Sequence, residues 1–175
     1  MERYTFGKPA NGRAIWTIVA ARHHGMINDI YNKRILELAG NIPRLGRLDE
    51  PHGSARAHSK LCGSTVTVDV ILDNGRVSDF AHDVKACALG QASSSLMAQH
   101  VIGLGEREIA SLREQMRAML KEGAPPPSGQ FADFACLEPV RDFKARHAST
   151  MLTFDATLEA VQKALAYNKQ AQAAG

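Results

Sequence analysis

Cys62 and Cys87 stand at the outer ends of one β-hairpin pattern, and two thiols set side by side are the residues of this chain best equipped for chemistry. A thiolate pair suits a soft metal ion, an iron–sulfur cluster or the handling of sulfur. Between them runs an alternating β-branched stretch from Ser64 to Leu72, then Asp73-Asn74-Gly75, then Arg76 to Val84. The Asn-Gly step is a strong hairpin signal. With Asn74 and Gly75 as a two-residue turn, Cys62 falls opposite Cys87, and directly opposed β-carbons lie about 5 Å apart. That register sets Val66 and Val70 against Asp83 and Asp79, and turns Phe80 and Val84 to the wrong face. A three-residue Asp73-Asn74-Gly75 turn, with Gly75 left-handed, repairs this by pairing Val68 with Phe80 and Ser64 with Val84. Cys62 then faces Ala86, and Cys87 is still adjacent.

Helical periodicity predicts the elements that hold this hairpin. Ile27, Ile30, Tyr31, Ile35 and Leu38 mark a first helix, ended by Gly40 and Pro43. Residues 41 to 53 read as loop, and Ser54 to His58 as an edge strand beside the hairpin. After Cys87, the positions Leu89, Ala92, Leu96, Met97 and Val101 mark a helix, with Ser93-Ser94-Ser95 inside it as a tightly packed small-residue face. Cys87 opens that helix, where free amide donors and the positive dipole end favour a thiolate. Residues 106 to 122 form another amphipathic helix, stopped by Gly123 and the Pro125-Pro126-Pro127 connector. Phe131 to Val140 suggests a short helix. A longer one runs from Ser149 to Tyr167, with Ser149 as its N-cap.

Composition bounds the function. At 175 residues and 45% hydrophobic, the chain supports one well-buried domain. The formal charge of +3 is spread along the sequence without basic–aromatic clusters, which argues against nucleic acid. No segment approaches the roughly 20 apolar residues of a membrane span. Three cysteines make no disulfide framework, so the thiols are expected reduced, in the cytoplasm. Residues 1 to 25 read as an extension outside the domain, with Met26 as an alternative start. The domain spans 26 to 168, and 169 to 175 is expected to fray.

The other polar candidates have ordinary readings. Cys136 sits in an apolar Phe-Ala-Cys-Leu context, which suits a buried free cysteine. Asp69, Asp83 and His82 could donate to a metal if they shared a side with the cysteines; solvated strand positions are the simpler expectation. The serine run has no His and Asp constellation to make a catalytic triad.

The chain resembles the IscU/NifU-type scaffolds of iron–sulfur cluster assembly, with the SufU branch closest, over about residues 26 to 167. The carriers are Cys62-Gly63, the hairpin with Val77 and Asp79, Cys87 followed by Gln91 to Met97, and Phe143 to Leu152. The segment between Cys87 and residue 149 resembles the insertion that sets SufU apart. The resemblance implies an α+β fold, a small antiparallel sheet with helices on one face. It also implies a site of three cysteines and one aspartate that holds zinc or a nascent cluster. Here Cys62 and Cys87 match, whereas Ser64 stands at the aspartate position and Ser149 at the third cysteine. His147, two positions before Ser149, is the substitute ligand to test. The implied role is a scaffold rather than an enzyme, binding iron or a transient [2Fe–2S] cluster, or accepting sulfur, through Cys62 and Cys87. Its implied partners are a cysteine desulfurase and apo-acceptor proteins. Two chains could share one cluster as a homodimer. The alternatives are a zinc-binding SufU-like sulfur acceptor, and a degenerate scaffold that acts only through its surface.

Overall fold

The computed structural model describes residues 32–173, so the proposed extension, the Met26 start and the first turn of the expected leading helix lie outside the described residues. Helix α1 (Lys33–Gly40) is followed by β1 (Gly53–His58), β2 (Thr65–Asp73) and β3 (Arg76–Lys85). Next come α2 (Ala88–His100), α3 (Glu106–Glu122), a 3-10 stretch (Gly129–Asp142) and α4 (Lys144–Ala173). The three strands form one antiparallel sheet in the order β1-β2-β3. Together with the helices packed on it, this is the expected α+β architecture.

The hairpin solves its sidedness problem at a place the sequence did not mark. Asn74 and Gly75 both have positive φ, 49° and 77°, as a two-residue turn with a right-handed strand twist requires. Leu72 pairs with Val77, but the register then shifts between Ile71 and Leu72, so that Val70 pairs with Phe80 and Val66 with Val84. The extra residue is Ser78, a bulge in β3, rather than a third turn residue. The predicted Val68–Phe80 and Ser64–Val84 pairs are therefore replaced: Val68 faces His82, and Ser64 precedes the ladder. One apolar face results, carrying Val66, Val68, Val70 and Phe80, all essentially inaccessible.

α4 covers that face across β1 and β2. Gly53 makes the approach possible, because a Cβ there would run into the Ala160 carbonyl and the Ala164 backbone. Phe154, Ala156, Ala160, Val161 and Ala164 of α4 are buried against the sheet and its neighbouring helices. Each large apolar side chain enclosed this way contributes about 1.5–3 kcal/mol relative to exposure. Ser93, Ser94 and Ser95 are fully buried on α2, and Ser95 Oγ donates to the Asn41 carbonyl just beyond α1. The serine run is thus packing between helices, as its small size predicts.

Two expectations about polar residues change. The last helix starts at Lys144 and continues to Ala173, so Ser149 sits inside its second turn instead of capping it. Its hydroxyl donates back to the Arg146 carbonyl at 3.0 Å. Two strand residues expected to be solvated change too: Asp69 and His82 are completely buried. Burial alone would raise the Asp69 carboxyl, but the Arg47 guanidinium, bonded at 2.5 and 2.9 Å, and the Leu48 amide hold it below its ordinary value. His82 Nε2 meets the Pro43 carbonyl at 2.9 Å, and burial keeps the ring neutral.

Candidate functional site

The two cysteines lie outside the strands. The ladder between β2 and β3 ends at Thr65 and Lys85, leaving Cys62 on the turn that leads into β2 and Cys87 at the N-cap of α2. They are nevertheless brought to one open pocket, lined by Cys62, Gly63, Ser64, Lys85, Ala86, Cys87 and Arg146. The hairpin achieves this by returning the chain to where it left, and the start of α4 closes the third side.

Cys62 sits on a turn that closes on itself. Ser59 N–H donates to the Ser64 carbonyl and Gly63 N–H to the Ser59 carbonyl, both at 2.9 Å. Gly63 is left-handed, φ 69°, the conformation glycine adopts without steric penalty. This turn sets the Ser64 hydroxyl 3.0 Å and the Ser59 hydroxyl 3.4 Å from Cys62 Sγ. The Ser59 and Ser64 hydroxyls, the Ser64 backbone and the more distant Arg146 charge hold the exposed thiol below its ordinary pKa. The sequence placed the activated thiolate at the helix start, Cys87; the hydroxyl cradle lies around Cys62.

Cys87 is half-buried, and its Sγ lies 3.4 Å from the Ser149 hydroxyl. That contact needs α2 and α4 to approach closely at their starts. Gly90 permits it: a Cβ there would come within 2.7 Å of the Ala86 side chain and 3.1 Å of the Ser149 carbonyl. The two serines at the replaced ligand positions are therefore in place, each touching one thiol, and both are almost fully buried. Their hydroxyls are neutral near pH 7 and make weak ligands beside a thiolate.

His147 goes elsewhere. It is buried, its Nε2 lies 3.2 and 3.0 Å from the Val140 and Arg141 carbonyls, and it lines a neighbouring cavity with His58, Lys121, Lys144 and Asp155. Its ring ties α4 to the end of the 3-10 stretch. Cys136 belongs to that stretch as well, packed against the core, and burial pushes its thiol up to about 11. Among the described residues, no group of three or more His, Cys, Asp or Glu side chains is placed to hold a metal ion. The described residues of one chain thus bring two strong ligands to this pocket, short of the four of a tetrahedral zinc site.

Two pocket residues escaped the sequence reading. Arg146 stands one helical turn before Ser149, so the i, i+3 spacing on α4 carries it to the same side. Lys85 follows from the end of β3, where alternation turns it outward. Lys85 pairs with the exposed Asp83 at 3.5 Å; Arg146 makes no ion pair among the described residues.

Comparison with known proteins gives consistent relationships. Residues 30–150 match the family described as the NifU-like N terminal domain. The iron–sulfur cluster assembly scaffold protein IscU of Thermotoga maritima is 27% identical over 134 residues, which cover 77% of this chain and 94% of that protein. The crystal structure of the N-terminal part of a nitrogen-fixing NifU-like protein from Brucella abortus is 60% identical. It covers 81% of this chain and 98% of that one, with a TM-score of 0.78. A structure from Fervidobacterium islandicum, described as an iron–sulfur cluster assembly scaffold protein for the SUF system, shares the fold at 19% identity. Its TM-score is 0.71 over 77% of this chain and 98% of that one. On its fold, its paired cysteines and these relationships, the chain belongs to the NifU-like N-terminal domain family, as a scaffold of the IscU, NifU and SufU type.

Proposed function

We propose that the chain is an iron–sulfur cluster assembly scaffold that receives iron and sulfur, or a transient [2Fe–2S] cluster, on Cys62 and Cys87. The carrying observation is the convergence of these two thiols, 25 positions apart in sequence, on one open pocket with Ser64 and Ser149 against them. The cluster is cargo here, so an accessible and incomplete site is an advantage for release. Ser64 and Ser149 occupy the remaining family ligand positions as weak, neutral contacts, and His147 serves the helix junction.

Four thiolates hold a [2Fe–2S] cluster, and two copies of this chain supply four. Sharing the cluster across a homodimer follows from that count. Leu61, 78% exposed beside Cys62, is an apolar side chain that a second copy would cover. A cysteine desulfurase as sulfur source and apo-proteins as acceptors fit the same role, in a compartment that keeps thiols reduced, such as the cytoplasm.

A second reading is a SufU-like sulfur acceptor, favoured by the lowered pKa of the exposed Cys62; its usual zinc site would lack two strong ligands here. A surface-only scaffold is the third. Anaerobic reconstitution with iron and sulfide separates them, using wild type, Cys62→Ser and Cys87→Ser with metal analysis and visible absorption. The scaffold reading expects a stoichiometric cluster lost in both variants. Zinc alone would replace it with the sulfur-acceptor reading, and no metal at all with the surface-only reading.

A further inference from the structure

The pocket around Cys62 has an unusual charge balance for a metal-collecting site. Among the described residues its lining includes two cations, Lys85 and Arg146, two thiols and one serine hydroxyl, and no carboxylate, with Asp83 outside the lining and 3.5 Å from Lys85. The carboxylate side chain that would repel an anion is replaced by Ser64 at 3.0 Å from Cys62 Sγ. Arg146 is exposed and makes no ion pair among the described residues, so its five donors are free for a ligand. Cys62 itself is exposed on the turn, open to attack by or on a small molecule. Serine hydroxyls against the Cys62 sulfur and a guanidinium lining the same pocket are what a small sulfur-bearing oxyanion needs for binding and reaction.

We propose that the pocket binds thiosulfate, or a sulfur oxyanion of the same class, and that Cys62 takes the sulfane sulfur from it directly. The proposal rests on the reading of Cys62 as a working residue of the site, and extends it from carriage to sulfur transfer from a small-molecule donor. The Cys62 thiolate attacks the outer sulfur of thiosulfate. A new S–S bond forms to Cys62, the sulfur–sulfur bond of the donor breaks, and sulfite leaves with the bonding pair. Cys62 becomes a persulfide anion, and no oxidant or reductant is consumed. Arg146 and Lys85 hold the oxyanion end, so their charge stays on the departing sulfite. Cyanide regenerates the thiolate by removing the outer sulfur as thiocyanate.

The test is thiosulfate and cyanide given to the full chain, with thiocyanate release measured and the modified residue located by mass spectrometry under anaerobic conditions. The expected result is one added sulfur on Cys62 and turnover that disappears in Cys62→Ser but persists in Cys136→Ser, a change outside the pocket. Arg146→Ala should raise KM for thiosulfate roughly tenfold, the worth of one charge-assisted contact, with Arg146→Lys recovering part of it. Circular dichroism of each variant confirms folding. Wild type that assembles a cluster but takes no sulfur from thiosulfate overturns this proposal and leaves the scaffold reading standing. Sulfur found on Cys87 or Cys136 instead also overturns it. Sulfur on Cys62 in a chain that assembles no cluster supports the proposal and removes the scaffold reading.

Discussion

The turn that carries Cys62 and the 3-10 stretch that carries Cys136 present the same side chain in opposite settings. Cys62 is exposed, with two serine hydroxyls at 3.0 and 3.4 Å and, lining its pocket, the Arg146 guanidinium, which makes no ion pair among the described residues. Cys136 is half-buried and packed against the core, on a stretch whose Phe131, Phe134, Leu137 and Val140 are buried. Donors stabilise the thiolate at the first and apolar burial disfavours it at the second, so the two thiols move apart in pKa. What surrounds each sulfur sets its acidity, so the first setting suits the proposed chemistry and the second suits packing.

The strongest way to break this contrast is to exchange roles by mutation. Cys136→Ser should leave reconstituted cluster content unchanged, whereas Cys62→Ser should remove it; iron and sulfide counts per chain decide. A cluster that depends on Cys136 would end the contrast. Next in size is a gain of function. The double change Ser64→Asp with Ser149→Cys supplies a carboxylate beside Cys62 and a third thiol beside Cys87, and should convert a chain with two strong ligands into one that retains zinc as a monomer. Zinc content after gel filtration measures it.

Alkylation gives a graded comparison. The Cys62 thiol lies below its ordinary value and Cys136 near 11, so more of Cys62 than of Cys136 is thiolate at pH 8. Iodoacetamide labelling followed by peptide mapping should find Cys62 modified first, its rate rising through a lower pH range than that of Cys136. Phe134→Ala, which empties a fully buried position next to Phe131 and Phe154, should cost about 3–5 kcal/mol in urea unfolding and, by loosening the stretch that carries Cys136, narrow the labelling gap. The smallest effect on stability belongs to Ser59→Ala, which removes the longer of the two hydroxyl contacts and should move the Cys62 labelling profile upward in pH with the fold nearly unchanged.

The sequence made the site's thiols legible because both sit where a pattern breaks, Cys62 before an alternating strand and Cys87 before a helical repeat. It made the need for a register correction legible as well, since Val66 and Val70 cannot face Asp83 and Asp79 in a one-sided sheet. It did not locate the correction, because a bulge at Ser78 leaves no compositional mark while an Asp-Asn-Gly turn suggests one. The start of α4 was hidden for a similar reason. Lys144-Ala145-Arg146-His147 has no apolar rhythm, so the helix seemed to begin at Ser149, and that delay concealed the face shared by Arg146 and Ser149. His147 was a plausible ligand by its spacing. Only the fold shows its Nε2 directed at the Val140 and Arg141 carbonyls.

Two thiols per chain are the core of this account, and native mass spectrometry of the anaerobically reconstituted wild-type chain tests them most directly. The account predicts a particle of two chains with one [2Fe–2S] cluster, which falls to bare monomers on Cys62→Ser. A single chain carrying a complete cluster by itself would contradict it.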